Sequence, residues 1–112
     1  MIGYNRGDVV LVRFRYTDES GQKLRPSLIV SSAAYHRSRQ DVSLAGITSN
    51  VTRALVGDYL LADWRAAGLR QPSVVTGLLQ TILRTMILRR LGAMTESDSQ
   101  AYDQHLRQSL AL

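Results

Sequence analysis

Two short stretches carry the chain's clearest chemical equipment. Arg25-Pro26-Ser27-Leu28-Ile29-Val30 sets a guanidinium at the start of an apolar run, and Gly46-Ile47-Thr48-Ser49 sets two hydroxyls at the end of the run from Val42 to Ile47. If these runs are neighbouring strands, Arg25, Thr48 and Ser49 meet at one edge of a small sheet. A guanidinium forks onto two phosphate oxygens and a hydroxyl donates to another. Such a set suits a phosphodiester, whose equatorial oxygens gain charge when the phosphorus is attacked.

A proton acceptor is less plainly written. Asp18 and Glu19 lie in the polar stretch just before Arg25. A carboxylate there takes a proton if it is held within hydrogen-bond reach, and is otherwise a solvated loop charge. His36 follows Tyr35 in a stretch rich in Arg and Ser. Histidine as a type suits proton transfer and tyrosine suits stacking on a base, although both also read as exposed loop residues. His105 falls on the buried face of the last element, where packing explains it.

The cations are almost all arginine: thirteen Arg against Lys23, for a formal net charge of +5. Arg13, Arg15, Arg37, Arg39 and Arg53 are read together as the lining of a groove that follows a polyanion, and singly as solvated charge. A nucleic acid or an acidic protein is the favoured partner class; an arginine-biased coding sequence makes the same surface.

These residues need elements to hold them. Residues 9–16 begin as a continuous apolar run and then alternate, which predicts a strand. A polar loop with Gly21 follows, then a strand over residues 24–32 with Pro26 near its start, where a missing donor is tolerated. Residues 33–40 read as a loop with room for one helical turn, and 41–48 as a third strand. Residues 58–61 make a short fourth strand, and 62–67 one or two helical turns stopped by Gly68. Residues 74–83 are β-prone. From 84 to 94 the pattern fits a helix ending at Arg89-Arg90 or a short strand at Ile87-Leu88. Thr95 caps a final amphipathic helix with Glu96 and Asp98 in its first turn, and Tyr102, Leu106 and Leu110 are its expected core residues. The sum is an α+β, mainly β chain: a small SH3-like barrel with a short helix and a C-terminal helix.

The bulk numbers agree with one domain over residues 1–112, with 45% hydrophobic and 21% charged residues. Cysteine is absent, so disulfide and thiolate chemistry are excluded. No His or acidic pair has metal-ligand spacing. No apolar stretch approaches the roughly 18 residues of a membrane span and the N-terminus has no apolar signal core, so a cytoplasmic location is expected.

An ordered set of stretches adds a resemblance. It runs Arg6-Gly7-Asp8-Val9-Val10-Leu11-Val12, Arg25 to Ser31, Asp41-Val42 through Ile47-Thr48-Ser49, Trp64 to Leu69, Pro72-Ser73, Thr81-Ile82 and Leu91 to Met94. The set resembles the MazF/PemK family of toxin endoribonucleases, which shares the CcdB/MazF/Kid fold. The resemblance implies the toxin of a type II toxin-antitoxin system. It implies a homodimer that cuts single-stranded RNA at short sequences, with no metal or cofactor, and a cognate antitoxin that blocks the RNA groove. It also implies products with 2′,3′-cyclic phosphate and 5′-hydroxyl ends. The family's arginine falls on Arg25 and its threonine on Thr48. Where several branches carry Lys or an Arg-Thr-Ile-Asp run, this chain has Gly77-Leu78-Leu79-Gln80-Thr81-Ile82-Leu83. The expected site is therefore Arg25, Thr48 and Glu19 for catalysis and Ser49, Arg13, Arg15, His36 and Arg53 for RNA. The competing readings are a gyrase-binding toxin of the CcdB type and a catalytically silent RNA-binding module.

Overall fold

Val9, Val10 and Val12 are all buried because the first strand is covered on both faces. In the computed structural model, residues 3–15 and 22–112 are described, the side chains of Arg15 and Gln22 excepted. Asp18 and Glu19 lie outside the described residues, as does the end of the expected first strand at Tyr16. β1 (Asp8–Arg15) pairs antiparallel with β2 (Gln22–Ile29) and with β6 (Ile87–Ala93). β3 (Asp41–Thr48) joins β2 to β5 (Val74–Leu83), and β4 (Tyr59–Leu60) adds a two-residue edge. The order is β4-β5-β3-β2-β1-β6.

Strand alternation divides the apolar residues between two cores. Val9, Leu28, Ala45, Ile47 and Val75 pack with Tyr102 and Leu106 of the C-terminal helix α2 (Glu96–Leu110). Val10, Val12, Ile29, Val42, Leu44, Ile82 and Ile87 form the second core, flanked by Tyr4, Phe14 and Met86. The described residues are mainly β with two helices, as the expected fold class has it, although the short helix lies at α1 (Ala33–Ser38) and "barrel" is too strong a word. The sheet is open, with the two-residue β4 at one end and β6 at the other.

Two local expectations change, and one left open between helix and strand is decided. Residues 33–40 contain a helix, α1 (Ala33–Ser38), because the Ser32 side chain accepts from the Tyr35 amide and caps it. Residues 62–67 are not helical: they lead into a tight turn at 64–68, closed by Gly68 N donating to Arg65 O at 3.0 Å and Leu69 N to Trp64 O at 3.1 Å. The 84–94 segment is a single 3-10 turn (Arg84–Met86) followed by strand β6, because pairing with β1 outweighs a weak helical spacing. Thr95 does cap α2, accepting from the Asp98 amide at 3.1 Å. Leu110, expected in the core, is 47% exposed, since α2 outruns the sheet it covers.

Candidate nucleic-acid groove

Pro26 explains where the groove opens. Val30 N donates to Ser43 O, so the even-numbered amides of β2 face β3. Pro26 occupies that phase and has no proton to give. The β2–β3 ladder accordingly ends at the Ser27–Gly46 pair. Arg25 and Thr48 each lie two residues beyond that pair, on strands no longer bonded to each other. A two-residue step returns to the same face, and both residues line one open cavity of about 390 Å³.

The floor of that cavity is apolar, made by Leu11, Leu24, Pro26 and Ile47. Its polar wall carries Arg25, Thr48, Ser49, Arg70, Gln71 and Arg89. Arg25, Arg70 and Arg89 are exposed, and among the described residues no acidic group engages any of their guanidiniums. Three cations around one concavity, with no described carboxylate beside them, make an anion site. The Asn50 amide donates to Thr48 Oγ1 at 3.1 Å. That bond fixes the hydroxyl's position and leaves its own proton free for an anion. Among the described residues that line the cavity, none is a carboxylate or an imidazole.

The far wall is built by close backbone approach. Gly68 has φ +79°, and a Cβ there would stand 2.1 Å from Leu91 O. A Cβ on Gly92 would stand 2.6 Å from the carbonyl carbon of Ala67. The 64–68 turn therefore lies against β6, which puts Leu69, Arg70 and Gln71 beside Arg89 and Leu91. The buried Asp98 carboxylate steadies the turn's approach. It accepts from the amides of Ala62 at 3.1 Å and Asp63 at 2.9 Å, and from the Tyr59 hydroxyl. Burial alone raises this carboxyl's pKa, but Tyr59 and the two amides outweigh it and hold it below the usual range.

The expected site residues divide. Arg25, Thr48 and Ser49 come together. Arg13 is exposed and pairs in register with Leu24 of the groove floor, so it stands at the groove's end. Arg53 does not face the groove: its Nε donates to the buried Asp58 carboxylate at 2.7 Å. His36 is placed elsewhere too. Its Nδ1 meets Tyr4 O at 3.0 Å, and a carbonyl only accepts, so Nδ1 donates. Its Nε2 is 2.6 Å from Ser31 Oγ, which itself accepts from the Ser43 amide. His36 thus ties α1 to β2 and to the N-terminal segment. Glu19 and the Arg15 side chain lie outside the described residues.

Arg70, Gln71 and Arg89 are the residues that sequence reasoning missed. Arg89-Arg90 reads as a helix end, yet on a strand the pair separates: Arg89 lines the groove and Arg90 Nε donates to Asp8 at 3.1 Å on the other face. Alternation between the neighbours Arg89 and Arg90 was the available signal, although a register shift in β6 turns Ile87 to the second core, away from Arg89. Trp64 packs against the first core with the Arg65 guanidinium 4.3 Å over its ring, which makes it an anchor for the turn and not a stacking platform.

Residues 5–110 match the family model described as the PemK-like, MazF-like toxin of type II toxin-antitoxin systems. The chain belongs to that family. A search of curated proteins finds no match. Among solved structures, the Mycobacterium tuberculosis toxin MazF-mt6 is 26% identical, with TM-score 0.72 over 92% of this chain and 97% of that one. A mycobacterial endoribonuclease solved in complex with its cognate antitoxin is 21% identical, with TM-score 0.78 over 98% and 97%. MazF in a MazE-MazF structure from Deinococcus radiodurans is 18% identical, with TM-score 0.78 over 100% and 99%. The last two likenesses are of fold; the family match covers the strands, the turn and the helix that build the groove.

Proposed function

We propose that this family member is a metal-independent, sequence-selective endoribonuclease that cleaves single-stranded RNA in the groove between β2 and β3. The observation that carries the reading is the convergence of Arg25 and Thr48 on one cavity with two further guanidiniums, Arg70 and Arg89, that no described acidic group engages. The 2′-oxygen attacks the adjacent phosphorus and the 5′-oxygen leaves. A 2′,3′-cyclic phosphate and, once the leaving oxygen is protonated, a 5′-hydroxyl result. Arg25 binds the equatorial oxygens as charge grows on them, and Thr48 donates to one of the same oxygens. Ser49 and the outlying arginines follow the strand's backbone. The proton acceptor is assigned to Glu19 or Asp18.

The same proposal takes the chain as one domain that acts as a cytoplasmic homodimer, with a cognate antitoxin covering the groove. The MazE-MazF structure and the endoribonuclease solved with its cognate antitoxin support the antitoxin part of the reading. The lack of any carboxylate or imidazole among the described groove residues favours one rival, a silent module that binds RNA without cutting it.

Incubation of the pure protein with mixed RNA in EDTA, followed by mapping of both ends, tests the reading. Cyclic-phosphate and 5′-hydroxyl ends that vanish in a folded Arg25→Ala variant are expected. Unchanged cleavage in that variant removes Arg25 from the mechanism. Tight binding with no products over hours leaves the silent module. Inhibited supercoiling by purified gyrase with intact RNA points to the CcdB type.

A further inference from the structure

Arg25 and Pro26 form a ridge with a concavity on each side. Beyond it, a second cavity of about 380 Å³ is lined by Phe14, Ser27, Leu44, Leu78, Leu79 and Gln80, and it shares Arg25, Pro26 and Ile47 with the first. The two differ in chemistry. The first holds three arginines. Among the described residues, the second has no charged group except Arg25 on the shared ridge.

Its apolar wall is unusual for strand residues. Leu78 is 64% exposed and Leu79 41% exposed. A bulge in β5 sets them there. Val75 pairs with Ile47 and Leu79 with Ala45, so β5 spends four residues where β3 spends two. The bulge is pinned at two adjacent residues. Thr76 Oγ1 donates to Gly46 O at 2.8 Å, and the Gly77 amide donates to the Asp58 carboxylate at 3.1 Å. Gln80 follows at once, opposite Leu44, where its side-chain amide both donates and accepts.

A nucleobase has the complementary shape: two apolar faces and a polar edge. Phosphate contacts position a strand and base contacts specify it. We propose that the second cavity is the base subsite next to the scissile phosphate. The base lies against Leu78 and Leu79, and Gln80 reads its edge. Gln80 is then the specificity-determining residue at one position of the cleaved sequence. This rests on the endoribonuclease reading and adds to it a division of labour: the arginine side holds backbone, and the uncharged side holds sequence.

The test is binding of fluorescent 2′-O-methyl oligonucleotides, which cannot be cleaved, with a single abasic site moved along the strand. Anisotropy is read in EDTA at fixed salt for the wild type, Leu78→Ala, Gln80→Leu and Arg70→Ala, each checked for fold by circular dichroism. In the wild type, one abasic position should weaken binding about tenfold. Leu78→Ala should shrink that dip, and Gln80→Leu should change which base is preferred there. Arg70→Ala should weaken every strand by the same factor and leave the profile unchanged. An abasic profile that Leu78→Ala and Gln80→Leu both leave untouched overturns the subsite while leaving the groove standing. A wild type that neither binds nor cleaves RNA overturns the endoribonuclease reading itself, and the subsite with it.

Discussion

Arg53 Nε donates to Asp58 at 2.7 Å, and that carboxylate is buried, with a side chain only 3% exposed. Asp58 also accepts from the amides of Leu55 at 3.1 Å and Gly77 at 3.1 Å. One carboxylate thus anchors the 50–58 connection to the bulge of β5. An arginine that reads as part of an RNA groove is a brace within the 50–58 connection.

Asp58→Ala should therefore destabilise the protein by about 3 kcal/mol, because it strands a partly buried guanidinium and two amides. Arg53→Ala should cost less, about 1 kcal/mol, and leave cleavage per folded molecule within about twofold of wild type, since the groove does not depend on its charge. Urea titration gives the first two quantities and RNA cleavage the third. A large loss of cleavage in stable Arg53→Ala protein would return Arg53 to the RNA surface.

His36→Ala offers a parallel contrast. It removes the bonds to Ser31 and Tyr4 and should cost about 1–2 kcal/mol, because Ser31 Oγ and Tyr4 O lose their partner in a partly buried place. The pH profile of cleavage should keep its shape. Loss of one limb of that profile would make His36 a proton carrier after all.

Gly68→Ala should be the most damaging small substitution. Its Cβ would overlap the Leu91 carbonyl at a left-handed φ of +79°. A loss of at least about 3 kcal/mol is expected from strain and displaced backbone together. The wall bearing Arg70 should move with it, so RNA affinity should fall even where the protein stays folded. Thermal melts and binding at low temperature separate the two effects.

The groove arginines should show in salt dependence. Arg70→Ala and Arg89→Ala should each reduce the slope of log affinity against log salt by about 0.7, the value for one phosphate contact with a single strand. An unchanged slope in both variants would place the strand elsewhere.

Stability should fall at both extremes of pH. Asp98 and Asp58 have carboxyl pKa values below the usual range. In each, hydrogen bonds, with the Arg53 charge added at Asp58, outweigh the opposing effect of burial. Their contribution is complete above about pH 4, the unfolded value, and is lost as pH falls through the lower folded one. Tyr59 is pushed up to about 12 by burial and by the Asp98 carboxylate beside it. Its contribution is complete below about pH 10 and is lost as pH rises toward the folded value. Denaturant midpoints across pH should show a shallower acid limb in Asp98→Asn and a shallower alkaline limb in Tyr59→Phe.

What could be read without coordinates was local or periodic. Thr95 announced a cap because capping depends on a side chain and an amide three residues on. The apolar runs at Val9 to Val12 and Val42 to Ile47 announced buried strands, because their pattern is set by the faces they cover. Arg25 and Thr48 could be paired because each flanks an apolar run, although Arg25 proves to stand inside β2 and not at its end. What tertiary structure decided was which arginines are drawn onto buried carboxylates and which face the groove. Arg53 and Arg90 are drawn onto the buried Asp58 and Asp8, while Arg25, Arg70 and Arg89 face one groove. That sorting depends on partners 5 to 82 positions away, brought together by sheet register and by two glycines that let backbones touch. No local pattern carries it, because an arginine's role is set by the charge the fold places beside it.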